Sequence, residues 1–168
     1  MFRFTAGFQF ILDWAKSGKL GDIFSVRGRI SSGPSSAKEW QRWDSRGERE
    51  GGIMFILACH LTDIIVALLG RPDRVTPLLH TIGEEFPWYR DNTIATFEYA
   101  KAMATLESSS LEVSSSASRR LEVYGTRGSA ILEPLEPPTL RLCLDRDRDG
   151  RCGIFGRCRR PVSYTHLR

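Results

Sequence analysis

Seventeen consecutive residues, Ile53–Leu69 (IMFILACHLTDIIVALL), constrain this chain more than any other segment. Gly51-Gly52 precede the run and Gly70-Arg71-Pro72 follow it, so it reads as one helix with clear ends. A helix this apolar has to be buried. Burying an ionised group is costly unless it is paired, yet His60 and Asp63 sit near the middle. On a helix they are i and i+3 neighbours, and Ile56, His60, Asp63 and Ala67 share one face. In that geometry Asp63 can orient His60 and raise its basicity, leaving a ring nitrogen for a substrate proton. The competing reading is a core histidine satisfied by Asp63 or by backbone. A transmembrane span is disfavoured: the run is shorter than the ~20 apolar residues a bilayer requires. Its polar centre adds further cost.

The chain has 168 residues, enough for one domain with a substantial core. Its net charge of +4 is unevenly placed. Residues 141–168 carry eight Arg against three Asp, whereas residues 1–140 carry 16 Lys/Arg against 17 Asp/Glu. All the basicity therefore belongs to the tail, and the body offers no electrostatic footprint for nucleic acid. Cys59 lies in the apolar run and is expected to act as a small core residue. Asp13 interrupts the apolar start and no small-residue cleavage site follows, so no signal peptide is read. The expected compartment is the reducing cytoplasm.

The pattern predicts a helix over Ala6–Ser17, capped by Thr5, a strand over Ile23–Ile30, and the long helix over Gly52–Leu69. Strands are then predicted over Arg74–Ile82, Thr93–Tyr99, Ala102–Val113, Leu121–Tyr124, Ala130–Leu132 and Leu140–Leu144. Helix, strand, helix and then sequential strands argue an α+β fold, a largely antiparallel sheet with helices packed on one face. No Gly-x-Gly-x-x-Gly or Walker-type loop occurs in the sequence.

Four segments, in order, resemble the second domain of Gfo/Idh/MocA-type oxidoreductases: AGFQFILDWAKSGKLGDIFSVRGRI, GGIMFILACHLTDIIVALLGRPDRV, DNTIATFEYAKAMATLESS and LEVYGTRGSAILEP. The resemblance implies a two-domain enzyme. Its N-terminal Rossmann domain binds NAD or NADP, and its C-terminal domain shapes a sugar or polyol pocket and an oligomer interface. By the same resemblance the family histidine falls on His60, as acid/base on the substrate hydroxyl, with Asp63 beside it. Three departures accompany it. The cofactor domain is absent from this sequence, the acidic residue usual one turn before the histidine is Ile56, and the resemblance stops after about Pro138. The chain thus reads as a detached or truncated second domain, inactive alone because hydride transfer needs both sites.

Trp40 and Trp43 lie in the polar loop before the key helix and are candidate sugar-stacking residues. The domain is expected to span residues 1–140, with a basic, disordered tail at 141–168. In that tail Asp145–Gly150 imitates the opening of a calcium loop, but its twelfth position is Gly156. Cys143, Cys152, Cys158 and His166 match no usual zinc spacing. No metal is expected. The partners expected are a sugar-like small molecule and further copies of the chain, meeting through an apolar open sheet face. The reading that rivals an oxidoreductase fragment is a non-catalytic binding or self-assembly module.

Overall fold

The computed structural model describes residues 2–34, 52–84, 87–145 and 152–155. Trp40 and Trp43 lie outside them. An eight-stranded sheet runs through the molecule in the order β2-β3-β4-β1-β5-β6-β7-β8. The strands are β1 Ile23–Arg29, β2 Arg74–His80, β3 Asn92–Glu98, β4 Met103–Ser109, β5 Arg120–Gly125, β6 Gly128–Leu135, β7 Pro138–Asp145 and β8 Cys152–Phe155. Among the described residues only β1 and β4 pair in parallel; the other neighbouring pairs are antiparallel. Two main helices, α1 (Ala6–Lys16) and α2 (Cys59–Leu69), share a core with one face of this sheet. The expected α+β class is the one observed.

Helix α1 buries Phe8, Ile11 and Leu12, the i, i+3, i+4 stripe seen in the sequence. Thr5 has the extended backbone of an N-cap (φ −85°, ψ 148°), but its hydroxyl turns back and donates to the Phe2 carbonyl at 3.0 Å. The expected side-chain cap is therefore replaced by a turn that continues N-terminally, the 3₁₀ segment Phe2–Phe4.

The long apolar run is helical but not uniform. Met54–Ala58 form a π-helical turn ahead of α2. A π turn holds more residues than the 3.6 of an α-helix, so it shifts the phase of the face before His60. Ile56 there packs partly against the core. Leu57, Ala58, Leu61, Ile64 and Ile65 form the buried stripe. Cys59 corrects an expectation: it is exposed, not core. It lies on the opposite side of the helix, with exposed Phe55 and Val66. Gly52 starts the run at φ +50°, where an added Cβ would stand 2.2 Å from the Arg90 carbonyl oxygen. That close approach lets the Ile53 amide donate to the same carbonyl at 2.9 Å.

On the sheet, Val26, Ala95, Phe97, Ala104, Leu106, Leu121, Val123, Ala130 and Leu132 turn to the helices. The alternating residues point the other way. That open face is not the apolar surface expected. It carries Arg29 paired with Glu107 at 3.9 Å and with Glu112 at 3.2 Å. Arg120 pairs there with Glu122 at 3.4 Å and with Glu133 at 4.0 Å. Exposed Leu78 and Met103 are its apolar points. At one edge every residue of β2 is exposed, and Pro77 within it is the residue an edge tolerates. Beyond β2, buried Asp91 accepts the Ile82 and Gly83 amides at 2.8 and 2.7 Å and folds the following loop back.

The boundary expected at residue 140 falls inside β7. Leu140 and Leu142 are buried opposite Leu132 and Ala130 of β6, and β8 pairs with β7. The reason is local: Leu140, Leu142 and Leu144 alternate with Arg141 and Cys143, whereas the Arg/Asp-rich stretch starts only at Asp145. Most of the calcium-like loop lies outside the described residues. Cys143 is disulfide-bonded, which removes it from the Cys/His zinc set.

Candidate functional site

The polar stripe of α2 meets the first residues of the chain. The Phe2–Phe4 turn lies across the start of α2, and Phe2, Arg3, Phe4, His60 and Asp63 line a concavity of about 310 Å³. His60 is half-buried. The Phe2 ring packs on its imidazole, centroids 5.6 Å apart and planes tilted by 58°. Phe2 in turn stacks flat on buried Phe8, at 5.1 Å and 4°. Among the described residues the imidazole makes no hydrogen bond.

Asp63 has a different partner from the one expected. Arg3 Nε donates to Asp63 Oδ2 at 2.8 Å and Arg3 Nη2 to Oδ1 at 2.5 Å. Nη2 also donates to the Asp63 carbonyl at 3.1 Å. This is the bidentate fork that suits guanidinium and carboxylate. Each carboxylate oxygen accepts one bond from Arg3 and none from His60, so the orientation of His60 rests on ring packing. The Arg3 carbonyl accepts from Gln9 Nε2 of α1, so the turn is pinned from both helices.

Next to His60, the Cys59 Sγ donates to the Ile56 carbonyl at 3.7 Å. Desolvation pushes this thiol above its ordinary value, and the Asp63 charge adds to that. The thiol form dominates at neutral pH, which argues against a thiolate nucleophile here. A half-buried imidazole free of hydrogen bonds, at a cavity edge, has the geometry to give or take a proton from a bound hydroxyl. Sequence reasoning missed Phe2, Arg3 and Phe4. The signal was charge accounting: Asp63 on an apolar helix needed a cation, and Arg3 between two aromatic residues stood just ahead of α1.

The arrangement of one mixed sheet, two helices on one face and a histidine on the second helix can be set against known proteins. Residues 8–131 match the GFO/IDH/MocA C-terminal domain. The chain belongs to this family. Within it, the fold is close to that of a levoglucosan dehydrogenase solved with NADH and levoglucosan (TM-score 0.75, 21% identity, 92% of this chain and 44% of that one). It is equally similar to an inositol dehydrogenase homolog from Azotobacter vinelandii complexed with NAD+ (TM-score 0.76, 18% identity, 92% and 41%). The WlbA dehydrogenase from Bordetella pertussis, in complex with NADH and UDP-GlcNAcA, is more distant (TM-score 0.66, 21% identity, 77% and 40%). No curated protein matches in sequence. The chain spans under half the length of these solved GFO/IDH/MocA structures.

NADH is named with two of those structures and NAD+ with the third, and the described residues here do not fit such a dinucleotide. A dinucleotide site needs a strand, a glycine-rich turn and a helix N-terminus. Among the described residues, β1 leads instead into Ile30-Ser31-Ser32-Gly33-Pro34, and α1 follows a 3₁₀ turn without glycine. No helix of the described residues is long and apolar enough to cross a membrane.

Proposed function

We propose that this chain is the substrate-binding and oligomerisation domain of an NAD(P)-dependent sugar or polyol oxidoreductase, working in the cytoplasm. His60 is its acid/base group for a substrate hydroxyl. The observation that carries this reading is the half-buried His60 at the edge of a concavity, its ring nitrogens unengaged among the described residues, in a chain of the GFO/IDH/MocA family. Asp63 stands at the rim, about half exposed beside Arg3, where a substrate hydroxyl can donate to it. Trp40 and Trp43 supply the stacking faces. The cofactor comes from a separate domain, as the family reading implies; the described residues form no glycine-rich turn between a strand and a helix. The domain unit extends past residue 140 to include β7.

Division of the active site between two domains makes this one a binder without turnover. Titrating the chain with inositol and levoglucosan, followed by the His60 imidazole resonances, should show saturable binding that His60→Asn weakens. With NAD+ or NADP+ added, no nicotinamide reduction is expected. Equal binding by the parent and His60→Asn would remove His60 from the site, and turnover above background would end the divided-site reading.

Two observations favour a second reading, a non-catalytic binding or self-assembly module. Ile56 occupies the position of a helping carboxylate, and the Asp63 charge is paired with Arg3 and not with His60. An upstream in-frame strand followed by Gly-x-Gly-x-x-Gly would decide for the enzyme.

A further inference from the structure

We propose that Arg3 is a positioning residue for His60. It acts through Asp63 and Phe2, by holding the Phe2–Phe4 turn across α2. The proposal rests on the reading of His60 as the working imidazole, and it concerns how that ring is held.

Among the described residues the imidazole has no partner for the hydrogen bond that ordinarily fixes a functional histidine's orientation. Its recorded ring neighbour is Phe2. Phe2 belongs to a three-residue 3₁₀ turn, too short to hold itself in place. Three contacts hold it. The Phe2 ring is stacked on Phe8, the Arg3 carbonyl accepts from Gln9, and the Arg3 guanidinium grips Asp63 through both carboxylate oxygens and its carbonyl. Only the last of these ties the turn to α2, and Asp63 is three residues beyond His60 on that helix, so the grip falls one turn from the ring that it steadies. The first two tie the turn to α1 alone. Without Arg3 the turn stays on α1 but is free to lift from α2, and the Phe2 ring leaves the imidazole.

A bidentate pair with both partners between a third and a half exposed, 38% and 47%, contributes little to global stability. Its geometry is what matters, because the planar fork fixes direction as well as distance. Lysine, a point charge, would keep attraction to Asp63 and lose the fork.

The test reads the His60 ring in the full chain by NMR, its signal assigned by loss in His60→Asn. In the parent, the Phe2 ring current displaces the His60 Hε1 resonance. Phe2→Leu should abolish that displacement, which establishes the readout. Arg3→Met should abolish it equally, Arg3→Lys should restore it only in part, and the thermal midpoint should stay close to the parent's. The reversed pair, Arg3→Asp with Asp63→Arg, should regain part of the displacement lost in Arg3→Asp alone. If Phe2→Leu moves the resonance and Arg3→Met leaves it in place, Arg3 does not position His60. If neither moves it, the turn does not lie on His60 and the proposal fails with it. If Arg3→Met unfolds the chain, the Lys variant decides by whether its displacement is smaller than the parent's. None of these outcomes depends on polyol binding, so a chain that binds no polyol would sink the proposed function and leave this inference standing.

Discussion

At the scale of single residues, Gly52 shows how one position fixes the entry to the site. Its φ of +50° is a conformation that L side chains rarely adopt, and a Cβ there would collide with the Arg90 carbonyl at 2.2 Å. The two effects act together. Left-handed backbone costs an ordinary residue about 1–3 kcal/mol at such sites, and relieving the collision would break the 2.9 Å bond from Ile53 to Arg90. Gly52→Ala should therefore lower the unfolding midpoint, by roughly 2–4 °C for each kcal/mol lost in a chain of this size. Thermal melts followed by circular dichroism would check it, and an unchanged midpoint would mean that the helix start tolerates a shift. The Gly-Gly pair was legible in the sequence as the place where a helix begins. Its cause was not, because Arg90 lies far along the chain and only tertiary folding brings its carbonyl there. The same holds for Asp63: its charge is plain in the sequence, but its partner Arg3 is 60 residues away.

At the scale of elements, Glu112 ties the segment after β4 to β1 and to the short helix α3 (Ser115–Ser118). Its carboxylate accepts from Ser118 and from Arg29, the latter at 3.2 Å. Burial pushes this carboxyl up, but the bonds from Ser118, Ser31 and Arg29 and the Arg29 charge outweigh it, and the net direction is down. A carboxyl held below its unfolded value adds stability above the ordinary glutamate range. That contribution disappears as pH falls through the folded value. Glu112→Gln should flatten the loss of stability on acidification below the ordinary range, while lowering stability at neutral pH. Urea melts at a series of pH values would show it, and parallel pH profiles for parent and variant would refute it. Most elements were readable from periodicity: α1, β1, β3 and β7 fall within a residue or two of their predicted limits. The π turn at Met54–Ala58 was not, since the same apolar letters suit either helix geometry. Nor was the exposure of Cys59, which depends on the phase that this turn sets.

For the whole molecule, the proposed self-association turns on the open sheet face. Among the described residues no helix covers that face, and neighbouring strands place Thr76, Thr96, Thr105, Arg27, Glu122 and Ile131 in one transverse row across it. Sequence reasoning expected an apolar face because a lone domain exposes what a partner once covered. The strands instead alternate opposite charges within the face, Arg29 with Glu107 and Arg120 with Glu122 and Glu133. Such pairing neutralises the surface internally, so a second copy can approach without net repulsion. The exposed Leu78 and Met103 add apolar contact at its margins. The proposed self-association would use the flat stretch at Thr76, Thr96 and Thr105, where three short side chains lie side by side on neighbouring strands. An arginine at Thr96 or Thr105 would project from this short stretch into the partner and add positive charge beside Arg27, while Glu98 and Glu107 are already paired with Arg74 and Arg29. Thr96→Arg with Thr105→Arg should convert an oligomer to a monomer in sedimentation velocity while leaving the thermal midpoint of the isolated fold close to the parent's. A parent chain that sediments as a monomer at high concentration would overturn the assembly proposal. An oligomer that survives both substitutions would move the interface elsewhere, with the fully exposed β2 edge the next surface to test.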